Sequence, residues 1–181
     1  LKDVELNVNY LLIISTSAGL WSYNIGDTIK FTSLEPFRII VTGRIKHFLS
    51  AFGEHVISEE VEKAMETATK LHNVAIREFT VAPNINPKEM LPHHEWYVEF
   101  ESLPKDMLAF SKALDKEMTR LNIYYKDLID GKILKSLEVI SVIRGGFNQY
   151  MKSEGRLGGQ NKVPRLSNDR KIADKLKTIS T

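Results

Sequence analysis

The chain has 181 residues, 43% hydrophobic and 27% charged, an ordinary globular composition large enough for one sizeable domain or a domain plus part of another. Its 25 basic and 23 acidic residues give a formal net charge of +2, too little to create a broad field for nucleic acid or a membrane surface. No cysteine is present, which excludes disulfides and thiolate metal sites, and the longest apolar run, Tyr10 to Ile14, is too short to span a bilayer.

Lys2-Asp3-Val4-Glu5 does not open a signal peptide, so a soluble, cytoplasmic protein cut from something longer is expected. Residues 1–43 read as the last strands of a larger upstream domain. Leu11-Leu12-Ile13-Ile14 is a continuous β-type run, the pattern of a strand covered on both faces. Ser15 to Gly19 turns the chain, and Tyr23-Asn24-Ile25-Gly26-Asp27 reads as a second turn. Thr28 to Phe31 and Phe37 to Val41 follow as paired strands, rich in β-branched and aromatic residues. Three strands cannot close a core alone, so apolar surface should be exposed unless another domain covers it. The alternative is that these strands join the downstream sheet.

From Phe48 the character changes. Phe48 to Ile57 reads as a short hairpin with Gly53 at its turn. Ser58 is expected to cap a helix whose first turn holds Glu59 and Glu60, with Val61, Ala64, Met65, Ala68 and Leu71 as its buried stripe. Val74 to Val81 alternates as a strand, Ala82 to Pro92 is a loop, and His94 to Phe100 should pair back antiparallel. His93 and His94 point to opposite faces of a strand and no cysteine completes a set, so no metal site is expected. A helix follows Pro104, with Met107, Leu108, Phe110, Ala113, Leu114, Met118 and Leu121 on its apolar face. Tyr124 and Tyr125 then read as packed aromatics, and Leu137 to Ile143 as a third strand. Hairpin, helix, strand, strand, helix, strand predicts an α+β domain, a small mostly antiparallel sheet with helices on one face.

The C-terminal stretch is less plain. Arg144-Gly145-Gly146-Phe147 leads into a short helix from Asn148 to Glu154. A glycine-rich loop from Gly155 to Arg165 then presents Lys162. Its spacing is not that of a P-loop, and an inert solvent loop is the plain reading. Two further side chains sit on short tethers, Asp27 after Gly26 and Arg44 after Gly43. A carboxylate so placed suits sugar hydroxyls, and a guanidinium suits a ribose or a phosphate. Taken singly, Gly-Asp reads as a turn and Gly-Arg as a surface strand end.

The ordered string LIISTSAGLWSYNIGD followed by TGRIKHFLSAFGEHVISEEVEKAM resembles the adenylate-forming superfamily, which includes acyl-CoA synthetases and firefly luciferase. More closely, it resembles the auxin-responsive-promoter family of acyl acid amido synthetases, in a bacterial-type version. The resemblance covers nearly the whole chain but only the last third of such an enzyme. It implies that residues 1–43 end the large domain, 44–47 form a hinge, and 48–181 form a mobile C-terminal cap domain. It also implies ATP and Mg2+, both held mainly by the upstream part, with a carboxylic acid and an amine such as an amino acid as substrates. On this resemblance Asp27 accepts the ribose hydroxyls, Arg44 supports it, and Tyr23 belongs to the nucleotide site. Lys46 occupies the pivot, where many superfamily members carry an aspartate. Lys162, in Lys162-Val163-Pro164-Arg165, corresponds to the lysine that stabilises charge on the α-phosphate during adenylation. By itself the chain is then expected to be inactive, with neither nucleic acid nor membrane as a partner. The alternative is a non-catalytic α+β module that docks on a partner protein.

Overall fold

Three strands open the chain in the computed structural model, which describes residues 3–44, 48–156, 158 and 161–180. They are β1 (Asn9–Ile14), β2 (Tyr23–Leu34) and β3 (Phe37–Arg44), in the order β1-β2-β3 with both pairs antiparallel. They form a sheet of their own and do not join the downstream one. The turn expected at Tyr23 to Asp27 is instead a bulged part of β2. Leu11 pairs with Thr28 but Ile13 pairs with Asn24, so β2 carries extra residues there. Gly26 absorbs them at φ +81, and its N–H donates to Asn24 Oδ1 at 2.8 Å. β1 is not covered on both faces: Leu11 and Ile13 are exposed, as are Ile39, Ile40 and Val41 of β3. Lys30 Nζ of β2 lies 3.2 Å from Glu59 Oε2, an ion pair to the first helix.

The expected hairpin forms from β4 (Phe48–Leu49) and β5 (Val56–Ile57), with Gly53 at φ +88 between them. It leads directly into α1 (Ser58–His72). Ser58 is the first helical residue and not the cap. The carboxylate of Glu60 instead turns back to accept the Ile57 N–H at 3.0 Å, satisfying a donor at the helix start. Val61, Ala64, Met65 and Ala68 are buried as expected, whereas Leu71, on the last turn, is exposed.

A second sheet follows, of β6 (Ile76–Asn84), β7 (His93–Phe100) and β8 (Glu138–Val142), in the order β6-β7-β8. β6 and β7 are antiparallel, while β8 runs parallel to β7. The parallel pairing follows from the long connection, which holds α2 (Met107–Leu121) and α3 (Ile123–Asp130). Asp106 caps α2 by accepting the Ala109 N–H at 2.9 Å, and Asn122 caps α3 by accepting the Tyr125 N–H at 2.7 Å. Leu108 is exposed, so the buried stripe of α2 is Phe110, Leu114 and Met118.

The α+β class is as expected, but the helices cover both faces of this sheet and not one. On one face Phe79, Val81, Trp96, Val98 and Phe100 pack with α1, α2 and α3. On the other, Ala82, Tyr97 and Val142 pack with α4 (Gly146–Ser153) and α5 (Lys171–Ser180). The sequence reading contained no counterpart of α5. Ile172, Ala173 and Leu176 of α5 are buried at helical spacing, with Ile179 packed beside them. Every residue of β7 is buried as a result. Among the described residues no helix is long and apolar enough to cross a membrane.

Candidate functional site

Two groups of residues were expected to act, and they lie on different sheets. The first is the β2–β3 pair. Antiparallel register sets Asp27 opposite Arg44 and Thr28 opposite Gly43. The bulge at Gly26 immediately precedes Asp27 in the strand. Beneath it the sheet is held by buried Thr42, whose hydroxyl donates to Asn9 Oδ1 at 2.8 Å and lies 3.1 Å from Thr28 Oγ1. A Cβ at Gly43 would lie 3.4 Å from Thr28 Oγ1, so the two strands pack closely there. Tyr23 begins β2, opposite Ile14, and is half exposed. Arg44 is described through its backbone register. Lys46 lies outside the described residues.

The second group surrounds Lys162, which is exposed and lines a cavity of about 220 Å³ with Arg77, Glu78, Glu99, Phe147 and Asn148. Both carboxylates there are already engaged. Glu99 accepts the N–H groups of Gly145 (2.8 Å) and Phe147 (3.3 Å) at the start of α4, and Glu78 is paired with Arg165. The chain just after Lys162 is anchored firmly. Arg165 stacks 4.5 Å over the Phe79 ring, bonds to Glu62 at 3.2 Å, and donates to the Phe79 carbonyl at 3.1 Å. Its own carbonyl accepts the Val81 N–H at 2.9 Å, Ser167 N donates back to Val81 O at 3.0 Å, and Thr80 Oγ1 donates to Pro164 O at 2.7 Å. A glycine-rich loop was legible in the sequence; its fastening to the edge of β6 was not, because it depends on residues 84 to 87 positions away.

Residues 1–44 match the profile of the GH3 family central domain, and residues 59–171 that of the GH3 family C-terminal domain. The chain belongs to the GH3 family. Its relatives within that family include indole-3-acetic acid-amido synthetase GH3.4 of Arabidopsis thaliana, 29% identical over 181 residues that cover 91% of this chain and 30% of the relative. Another is indole-3-acetic acid-amido synthetase GH3.3 of the same plant, 27% identical with the same coverage. The fold is that of a solved GH3.15 acyl acid amido synthetase, which superposes with a TM-score of 0.75 at 21% identity over 99% of this chain and 35% of that one. The chain thus spans about 30% of the length of the GH3 relatives it matches.

Proposed function

We propose that this chain forms the end of the large domain and the mobile cap domain of an ATP-dependent acyl acid amido synthetase acting in the cytoplasm. Residues 1–43 complete the nucleotide-binding sheet, 44–47 are the hinge, and 48–181 are the cap. The observation that carries this reading is the family match on both sides of one junction, the central-domain profile ending at residue 44 and the C-terminal profile beginning at 59. Asp27 and Arg44 face one another in β2 and β3 at that junction.

The carboxylate of the acid substrate attacks the α-phosphorus of ATP, expelling pyrophosphate and leaving an acyl-adenylate. The amine of an amino acid then attacks the acyl carbon, forming the amide and releasing AMP. Asp27 accepts the ribose hydroxyls with charge-assisted bonds, supported by Arg44 and flanked by Tyr23. Lys162 brings a point charge to the α-phosphate oxygens only when the cap closes, so it stabilises the transition state more than the bound nucleotide. Lys46 lies at the pivot about which the cap turns between the two steps. Magnesium would screen the triphosphate. The His93, Glu95, Glu138 cluster contains an imidazole and does not fit that ion, which takes oxygen ligands, so its binding falls to the remaining length of the synthetase.

The test uses a synthetase that joins this chain to the remaining family length. Lys162→Ala should lower acyl-adenylate formation, read as ATP–pyrophosphate exchange, by on the order of 100- to 1000-fold. Amide formation from preformed acyl-adenylate should stay near the normal rate. Equal loss in both half-reactions, or in neither, refutes the role given to Lys162.

A further inference from the structure

His93 begins β7 and is 1% exposed, yet its Nε2 has no hydrogen-bond partner. The other ring nitrogen, Nδ1, lies 3.1 Å from the Leu91 carbonyl, which can only accept. Nδ1 therefore carries the proton, and Nε2 presents a lone pair. In the neutral ring that nitrogen lies near two more acceptors, Glu138 Oε2 at 3.3 Å and Glu95 Oε1 at 3.9 Å. Nε2 is sealed from water although the Glu138 side chain is 44% exposed, and a cation between the three groups supplies the partner that Nε2 lacks. An added proton on Nε2 would satisfy one carboxylate; a metal ion satisfies all three groups.

The fold builds this arrangement. The two-residue period of β7 puts His93 and Glu95 on one face, and parallel register places Glu138 of β8 beside Glu95. One ligand atom from each lies within 4.8 Å of the others. Donor separations near 3.3 Å are those of a tetrahedral ion with bonds of about 2.0–2.2 Å, so two of the three pairs need only a small adjustment. An outer layer holds the ligands in place. Glu95 Oε2 accepts from Arg170 Nη2 (2.7 Å) and the Tyr97 hydroxyl (2.8 Å), while Glu95 Oε1 accepts from Asn84 Nδ2 (2.9 Å). The second oxygen of Glu138 is held by Lys135. A ligand histidine whose other nitrogen donates to a backbone carbonyl is the usual outer-layer pattern of metal sites.

We propose that His93, Glu95 and Glu138 form a structural site for a divalent transition ion of the zinc class, clamping β7 to β8, with water as the fourth ligand. The imidazole selects such an ion over magnesium or calcium. Arg170 and Lys135 already offset part of the carboxylate charge, which makes the site weaker than one built of unpaired carboxylates. The sequence reading set His93 against His94, its neighbour on the opposite face. The pair that matters is His93 and Glu95, two apart on one face.

The experiment takes the 181-residue chain freed of metal by a chelator and titrates it with zinc chloride against a chromophoric competitor. One ion should bind per chain, with X-ray absorption showing one imidazole nitrogen among oxygen ligands. Zinc at about 100 times its dissociation constant should raise the melting temperature by roughly 5–10 °C. Glu138→Gln, whose side chain is 44% exposed and whose loss leaves the core intact, should weaken binding at least ~10-fold and abolish the thermal shift. His93→Gln should do the same, and His72→Ala should do neither. Binding weaker than about 1 mM, binding indifferent to Glu138→Gln and His93→Gln, or equal uptake of magnesium would overturn the proposal.

Discussion

Replacing Glu54 tests whether a buried carboxylate–histidine contact fastens the β4–β5 hairpin to the second sheet. Glu54 is fully buried; its Oε1 lies 2.9 Å from His94 Nε2, and its Oε2 accepts the Phe52 N–H at 2.8 Å. The His94 ring sits against Phe52 and Tyr125, with centroids 6.1 and 5.1 Å away. Glu54→Ala leaves a backbone N–H and a ring nitrogen without partners. Losing a charge-assisted bond costs about 1.5–3 kcal/mol and an orphaned donor about 1–3 kcal/mol, so about 3–5 kcal/mol is expected overall. In thermal unfolding that is a fall of roughly 10 °C for a chain of this size. Glu54→Gln keeps the volume and an acceptor but loses the charge, and should cost about 1–2 kcal/mol at neutral pH. Burial opposes ionisation of Glu54, but the hydrogen bond and charge of His94, with the backbone N–H of Phe52, outweigh it and hold its pKa below 4.5. The sign of the pH effect follows. A carboxyl lowered in the folded state stabilises fully above its unfolded pKa and loses that contribution as pH falls through the lower, folded value. Urea titrations of wild type and Glu54→Gln should therefore differ at pH 7 and draw together as the pH falls below 4.5 through the lowered pKa of Glu54. An Ala variant within about 0.5 kcal/mol of wild type, or a gap to Gln unchanged down to pH 3, would refute the reasoning.

Two further substitutions address the helix cap and the nucleotide site. Asp106→Ala removes the side-chain acceptor for the Ala109 N–H at the start of α2 and should cost about 1 kcal/mol in urea unfolding; no measurable loss would mean that water serves that donor equally well. Asp27→Ala, in a synthetase carrying this chain, should weaken nucleotide binding by roughly tenfold or more, and an unchanged KM for ATP would remove Asp27 from the site.

Local signals carried the sequence reading a long way. The apolar alternation of β7 and the stripe of Phe110, Leu114 and Met118 are short-range patterns, and both elements formed where those patterns place them. The errors have a common physical source. Gly26 reads as a turn because glycine at positive φ serves turns and bulges alike; only the pairing of Leu11 with Thr28 and of Ile13 with Asn24 decides between them. Leu71 and Leu108 fit their helical periods but fall where no partner element arrives. The second helical layer was missed because α5 is short and follows a glycine-rich loop, although Ile172, Leu176 and Ile179 carry the spacing that would have found it. At the candidate site Asp27 and Arg44 were legible as short-tethered charges, and the register adds that their backbones stand opposite one another. The cavity around Lys162 could not be read, since Glu78, Glu99 and Asn148 converge there only through tertiary pairing.

The fastening of residues 163–167 to β6 bears on how a lysine can travel. Lys162 stands next to a segment held through Pro164, Arg165 and Ser167 to a strand that is itself paired to the most buried strand of the molecule. A side chain with so short a leash cannot sweep a long arc by loop motion, however many glycines precede it. Its position is the position of the sheet. On the proposed function, the ammonium would work as a fixed tooth on a rigid wheel, brought to a distant phosphate only when the whole body behind it turns. Extra glycines inserted before Asn161 would thus hardly change where Lys162 reaches.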